Sequence, residues 1–432
     1  MNRILNLFLF TLVIPSVSFA QSVPSNGGLN WQYKSAKSDT SETTKRQGVK
    51  RATADKVLTA NFKLDTQVFR HANHAQINLG GALKPVLRDR LIAKNDDAYV
   101  WLGHVEDEPD TSIAFYVKGD VVVGQVASSH GTFVVQPRKD GSYTLSRTGG
   151  EEADTCGLDA TLEEVSASPL PSLDVSLAPI AFDDPVIRIL VVYTEEALRG
   201  AAPWWRNNDS SYIEGEIELQ IELLNQALVY SWTDATVELA QAVQVDLDED
   251  MESIYDYRSW VQSEMVTSGT EVHTLRQDHK ADLVSLWVED GVDACGVAYI
   301  GSRAVHDSPD YGVSVTDRGC HYKFTFSHEI GHNLGLRHDY YADDTMDPYT
   351  YGHGWVGVDA ESRTMMAYDD VCEVLGIDCP RINRFSNPDR EFWNGDPMGH
   401  SLVADNAAVI DDRWQRVANY RRSALTSVIT PW

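Results

Sequence analysis

The chain has 432 residues, a length that suits two domains better than one. Of these residues, 43% are hydrophobic and 23% are charged, which is typical of a globular protein. Its formal net charge is −28, from 36 basic and 64 acidic residues. Such a surface repels polyanions, so we expect neither nucleic acid nor an anionic membrane as the main partner.

Residues 1–20 have the pattern of a secretory signal peptide. Arg3 precedes an apolar run from Ile4 to Ile14, and small residues stand just before Gln21. The run is too short for a stable membrane anchor, although an N-terminal anchor that stays uncleaved is the alternative. We therefore expect a secreted protein, extracellular or periplasmic in transit, whose mature chain begins near Gln21.

The next three segments differ in composition. Residues 21–60 are polar and predict a mobile arm, whereas residues 61–159 predict a small antiparallel β domain. Its clearest strands lie at 100–105, 112–117, 120–124 and 132–135, with turn residues between them. Residues 160–184 are rich in Pro, Ser and acidic residues, which is typical of an extended linker that proteases can reach.

Residues 185–425 alternate between strand and helix patterns. The segment 186–193 is almost continuously apolar and predicts a buried strand, and 211–231 has helical spacing of its apolar residues. Further strands are expected at 236–240 and 282–288, and further helices at 270–279 and 403–421. This alternation predicts an α/β domain.

The strongest motif lies at 328–338. His328 and His332 are four residues apart, so a helix places both imidazoles on one face, where they can bind one metal ion. Gly335 can take the positive φ of a helix C-terminus, which lets the chain return His338 to the same ion. Three histidines leave a fourth position open, as in catalytic zinc sites. Glu329 would then act as general base on zinc-bound water that attacks a peptide bond. Hydrogen-bonded buried histidines, or a structural zinc site, are the alternatives.

This segment resembles the signature of the metzincin metallopeptidases, and Asp339 resembles the reprolysin/adamalysin branch. Met366 is similar to the methionine of the Met-turn beneath the zinc. Tyr368 is more like astacins and serralysins, which implies either a weak zinc ligand or oxyanion donor, or a packing residue. The resemblance implies an α/β catalytic domain with a mixed twisted sheet, and some bacterial metzincins of this kind are peptidyl-Asp endopeptidases.

Two further features follow from this resemblance. Gly296, Val297 and Ala298 resemble the edge strand that pairs with extended substrate. The region 61–150 more weakly resembles a reprolysin propeptide, which implies a small antiparallel β propeptide domain before the catalytic domain.

The five cysteines are an odd number, so one is left over in an oxidising compartment. Cys156 stands alone beside Gly157, as in metalloprotease propeptides whose thiolate fills the open zinc position. We expect it to be a latency switch, released when a protease cuts 160–184; a plain free thiol is the alternative. The other four can pair in three ways, and we favour Cys295–Cys320 with Cys372–Cys379.

Two charged groups have more than one interpretation. Arg363, Arg381 and Arg384 could select an acidic substrate side chain, but surface ion pairs are the favoured interpretation. The acidic loop with residues Asp343, Asp344 and Asp347 could bind calcium, although its spacing is typical of a solvated loop.

The sequence therefore predicts a monomeric, secreted zinc endopeptidase made as a zymogen. Its partners would be protein or peptide substrates and an activating protease. The alternative is a metzincin-fold binding protein or adhesin without activity, which the presence of Glu329 disfavours.

Overall fold

The computed structural model describes residues 27–32, 59–128, 131–148, 185–206 and 208–421. The predicted signal peptide, Cys156 and the linker 160–184 lie outside these ranges.

The first part of the chain forms a nine-stranded antiparallel sheet, here called the N-terminal sheet. Its strands are β1 Leu29–Gln32, β2 Thr59–Leu64, β3 His74–Leu79, β4 Ala82–Ala93, β5 Ala98–Val105, β6 Glu108–Lys118, β7 Val121–Ser128, β8 Gly131–Pro137 and β9 Tyr143–Arg147, with helix α1 at Thr66–His71. They are ordered β1-β2-β9-β8-β7-β6-β5-β4-β3. The region thus has the expected antiparallel β structure with more strands than the pattern indicated, and its role as a propeptide stays a prediction.

The expectation that residues 21–60 are only a polar arm is wrong for β1 and for the start of β2. β1 pairs with β2, and Leu29 is buried. The Trp31 indole donates a hydrogen bond to the carbonyl of Gln76 at 2.8 Å, and its ring lies 4.8 Å from that of Phe62. The strand is held by residues far along the chain, so four residues of local pattern did not indicate it.

The second part of the chain is an α/β domain with a five-stranded mixed sheet, as predicted. Its strands are β10 Ile187–Tyr193, β11 Val237–Gln244, β12 Leu283–Val288, β13 Gly296–Ala298 and β14 Val313–Asp317. Their order is β11-β10-β12-β14-β13, and only β13 runs antiparallel to its neighbour. β13 is therefore an edge strand.

Seven helices belong to this domain among the described residues. They are α2 Glu195–Ala201, α3 Ser211–Tyr230, α4 Ile254–Val266, α5 Glu271–Asp278, α6 Thr325–Asn333, α7 Asp370–Leu375 and α8 Asn406–Val417. Short 3-10 helices lie at Pro309–Tyr311 and Arg318–Lys323, and two small ribbons are formed by β15 Val356–Gly357 with β16 Ser362–Arg363 and by β17 Asn387–Glu391 with β18 Pro397–Met398. In the part of the chain that the structure covers, none of the helices combines the length and apolar character needed to span a bilayer.

The helices cover both faces of the five-stranded sheet. One apolar core joins α3, α6 and α8 to one face of this sheet, and a second joins α4 and α5 to the other. Helix α3 also contacts β5, β6 and β7, so it lies between the two sheets. This layering places α6, with two of the predicted metal ligands, in the interior of the α/β domain.

Candidate metal centre

Helix α6 carries His328 and His332 on one face. All nine of its residues are buried, and the two imidazole ring centres lie 4.8 Å apart. The helix ends at Gly335, which has φ +104°, and the amide of Leu336 donates to the carbonyl of Gly331 at 3.0 Å. Glycine is required there because positive φ strains other residues. The chain turns and brings His338 back to the same face, as predicted.

The three imidazoles converge through their Nε2 atoms. His338 Nε2 lies 3.0 Å from that of His332 and 3.1 Å from that of His328. The Nδ1 atoms of His328 and His332 face the carbonyls of Met365 and Leu336 at 3.0 and 2.9 Å. These contacts suit Nδ1–H tautomers, which leave both Nε2 lone pairs directed at one point.

The residues present fit a zinc ion. Tetrahedral zinc at about 2.0–2.1 Å from nitrogen holds its ligands roughly 3.3 Å apart, so an outward shift of a few tenths of an ångström accommodates it. Among the described residues, these three histidines form the one cluster of His, Cys, Asp or Glu side chains suited to holding a metal.

Burial keeps the three imidazoles uncharged. Desolvation lowers the pKa of His332 to about 4 and holds the pKa values of His328 and His338 well below 6.5. The neutral imidazole is the form that binds metal, so the cluster is ready for a cation at neutral pH.

The carboxylate of Glu329 lies against the edge strand β13. A Cβ built on Gly296 would meet Glu329 Oε1 and Thr325 Cγ2, so only glycine leaves room for the carboxylate. Glu329 is fully buried beside the two histidines of α6. The predicted base and the predicted edge strand are therefore in direct contact.

Met366 lies beneath α6, where the resemblance placed it. A Cβ on Gly331 would stand 2.6 Å from Met366 Sδ, so the thioether packs on the turn between the first two histidines. Met365 contributes only its carbonyl, which faces His328. The ring centre of Tyr368 lies 4.2 Å from that of His338.

Comparison with known proteins agrees with this geometry. Residues 186–386 match the family model of metallo-peptidase family M12, of the reprolysin type. Residues 186–386 form a metzincin-like metallopeptidase domain, and the chain is a zinc metalloendopeptidase.

Relatives of this metallopeptidase share more than the matched domain. It is 27% identical over 378 residues to a peptidyl-Asp metalloendopeptidase of Stenotrophomonas maltophilia, covering 80% of this chain and 82% of the relative. It is 28% identical over 325 residues to one of Xanthomonas campestris pv. campestris, covering 73% and 71%. The first alignment is longer than the stretch from residue 186 to residue 432, so the similarity reaches into the N-terminal region.

One solved structure that aligns with this chain is a distant neighbour. The crystal structure of metalloproteinase-II from Bacteroides fragilis aligns with a TM-score of 0.37 and 13% identity, covering 62% of this chain and 81% of that one.

Several contacts that support the metallopeptidase centre were not predicted from the sequence. Asp339 accepts hydrogen bonds from the amides of Tyr368 at 2.9 Å and Tyr341 at 3.1 Å, which ties the third histidine to the Met366 turn. The ring of His353 faces the carbonyl of His338 at 2.9 Å. Only Asp339 had a sequence signal, its position directly after His338.

Two supporting residues hold the end of α6. Asn333 donates to the carbonyls of Tyr299 and Val313 at 3.1 and 3.0 Å. Arg413 of α8 donates to the carbonyl of Leu334 at 3.0 Å. These contacts span 20 to 79 residues, so local pattern could not reveal them.

The favoured interpretation of the three arginines as surface ion pairs is wrong, because all three are buried. Arg363 bonds to the carbonyl of Cys379 and lies 3.7 Å from the Asp369 carboxylate. Arg384 bonds to the carbonyls of Pro109 and Asp110 in the N-terminal sheet at 2.5 and 3.3 Å.

Arg381 is the arginine next to the metal centre. Its guanidinium donates to the carbonyls of Lys323 at 2.9 Å and Ala367 at 3.2 Å. Its positive charge contributes to the lowered pKa of all three histidines.

Both favoured disulfides are present, with Cα–Cα distances of 5.6 Å for Cys295–Cys320 and 6.1 Å for Cys372–Cys379. The first joins the start of β13 to the 3-10 helix before α6. Such bonds indicate an oxidising compartment.

In the acidic loop, the Asp343 carboxylate accepts from Arg337 at 2.9 Å, whereas Asp344 and Asp347 are exposed. An arginine thus already neutralises the most enclosed of the three carboxylates.

Proposed function

We propose that the protein is a secreted zymogen whose mature form hydrolyses internal peptide bonds, with His328, His332 and His338 as zinc ligands and Glu329 as general base. The observation that carries the proposal is the convergence of the three Nε2 atoms next to a carboxylate that lies against the edge strand β13. A structural zinc site would not need a carboxylate there.

The chemistry follows from the positions of these side chains. Zinc, when bound, supplies a Lewis acid and lowers the pKa of water. Glu329 accepts the proton of the attacking water and passes it to the leaving amine. Tyr368, whose ring centre lies 4.2 Å from that of His338, would donate to the developing oxyanion. The backbone of 296–298 pairs with an extended substrate and aligns its scissile bond.

Zinc removal tests the metal assignment. Dialysis against a chelator should abolish peptide hydrolysis, and one equivalent of Zn²⁺ should restore it, whereas His332→Ala should neither retain zinc nor recover activity. Full activity after zinc has been removed, with metal content measured in the same sample, would contradict the proposal.

The substrate preference we propose is for an acidic side chain next to the scissile bond, selected by Arg381. Two relatives carry the name peptidyl-Asp metalloendopeptidase, and the Arg381 charge lies close enough to affect all three histidines. A cleavage profile on a peptide library tests this preference, and a profile without acidic enrichment would remove it.

Latency is proposed to depend on Cys156, outside the described residues. Its thiolate would occupy the open zinc position until a protease cuts within 160–184. The Cys156→Ser precursor should hydrolyse a quenched peptide before any cleavage, while the wild-type precursor stays silent. If neither precursor hydrolysed the peptide before cleavage, Cys156 would not be the latency switch.

A further inference from the structure

Helix α3 has a second buried side that the metal centre does not use. One side packs on the five-stranded sheet and α6, and the opposite side packs on β5, β6 and β7 of the N-terminal sheet. Fourteen residues of this 20-residue helix are buried. A helix buried on both sides depends on both neighbours for its environment.

The apolar part of this contact is closely packed. Gly215 lets the backbone of α3 approach the sheet, since a Cβ there would stand 2.8 Å from Tyr116 Cδ1 and 3.3 Å from Val123 Cγ2. The inner face of β5–β7 and the residues of α3 belong to one continuous core. Separation of the sheet would therefore expose the interior of the α/β domain to water.

Several buried polar groups are paired across the contact. Asn383 donates to Ser112 Oγ at 3.2 Å, the Ser112 hydroxyl donates to Gln226 Oε1, and Gln220 donates to Gln125 at 3.2 Å. Buried polar groups with partners on both sides are typical of a permanent interior, because transient surfaces rely on water for such pairing.

The charges are complementary as well. Lys94 lies in the turn between β4 and β5 of the N-terminal sheet. Its Nζ is 2.7 Å from the Glu218 carboxylate and 2.6 Å from the Glu222 carboxylate, both on α3. The buried guanidinium of Arg384 bonds to Pro109 and Asp110 and lies 4.6 Å over the ring of Tyr230. The carboxylate partners of Lys94 and the carbonyl partners of Arg384 lie on the opposite side of the contact, whereas Tyr230 lies on the same side as Arg384.

The hydrogen bonds of this contact lie away from the three histidines of the metal centre. Among the described residues, hydrogen bonds from the N-terminal sheet to the α/β domain end on Arg206, on α3, on Tyr322 and on residues between 383 and 393. None of these bonds reaches the three histidines, so the sheet need not leave for substrate to approach them.

We propose that the N-terminal sheet is a permanent partner of the α/β domain and stays bound to α3 after the linker has been cut. This inference rests on the proposed zymogen. It implies that activation cuts the linker but does not remove the N-terminal sheet. The mature enzyme is then a two-fragment complex, in which the sheet covers α3 rather than the metal centre.

The test uses the full chain with Glu329→Gln, so that proteolytic activity plays no part. A recognition sequence for a specific protease replaces 166–172, the protein is cut, and the fragments are separated by size-exclusion chromatography at low salt and at about 1 M salt. We expect both fragments to co-elute at the size of the uncut protein under both conditions, since the contact is mainly apolar.

Two variants and a control refine the measurement. Lys94→Glu, which faces Glu218 and Glu222, should increase the dissociated fraction after dilution about tenfold. Lys84→Glu is the matched control, because Lys84 pairs with Glu108 inside the sheet. The Leu side chain of Gly215→Leu would clash with Tyr116, so this variant should dissociate the fragments more than Lys94→Glu does.

Recovery of a folded α/β fragment free of the sheet, shown by circular dichroism, would overturn the inference. So would equal effects of Lys94→Glu and Lys84→Glu. Aggregation of the α/β fragment only when the sheet is stripped away in urea would support it. A lack of proteolysis in the wild-type protein would instead count against the proposed function and leave this result unchanged.

Discussion

At the scale of single residues, the metal ligands were predictable because their chemistry is set by local spacing. A four-residue interval places His328 and His332 on one helix face whatever surrounds the helix. The residues that orient them were not predictable in this way. His353 and Arg413 act through backbone carbonyls that only the folded chain brings near, and such contacts leave no periodic pattern in the sequence.

The three arginines show the same limit. Arginine is usually exposed, so the sequence favoured surface ion pairs. In the folded chain, buried carbonyl oxygens accept hydrogen bonds from each guanidinium. These bonds offset the desolvation cost of the buried charge, so a carboxylate partner is not required for each arginine.

The Arg381→Met variant tests the proposal that Arg381 selects an acidic substrate side chain. Removing the guanidinium should lower kcat/KM for peptides with an acidic residue at the preferred position by about 10²-fold, as for loss of a charge-assisted hydrogen bond. Neutral peptides should change little. Arg390→Met is the control, because that arginine lies over Trp232. A uniform loss across acidic and neutral peptides would mean that Arg381 only supports the fold.

At the scale of elements, strongly patterned segments were predicted well, and several short or mixed ones were not. The predicted helix 211–231 is α3, and the predicted strand 186–193 is β10. Helix α4 was missed because it interleaves polar and apolar residues, and β14 because its five residues give too short a pattern.

The end of α6 gives a prediction for an element boundary. Gly335→Ala should cost about 1 kcal/mol from positive φ and a further roughly 1–3 kcal/mol from overpacking, because its Cβ would stand 2.8 Å from Arg413 Nε and from Ser302 Cβ. Zinc affinity should fall with it, since the turn positions His338. Thermal unfolding and zinc titration measure both effects.

Gly395→Ala is the matched control for that prediction. Gly395 also has positive φ, at 86°, but nothing lies within 4 Å of its added Cβ. It should therefore show the backbone cost alone and leave zinc affinity unchanged. Equal losses of stability in both variants would contradict the packing argument.

At the scale of the whole molecule, the two-part organisation was predictable and the contact between the parts was not. Composition separated a β-rich region from an α/β region. The apolar and small residues around α3 indicated burial, but not that Gly215 faces Tyr116, more than ninety residues earlier. Partners at such separations are fixed by the fold, and a single sequence carries no record of them.

The measurement that tests the central claim most directly compares the activated wild-type enzyme with Glu329→Gln, with zinc content and peptide hydrolysis determined on the same samples. The account predicts that the variant keeps one zinc ion per chain and its thermal stability, while kcat falls about 10²–10⁴-fold because the general base is lost. Full zinc content with unchanged kcat would contradict it, since another group would then have to move the proton.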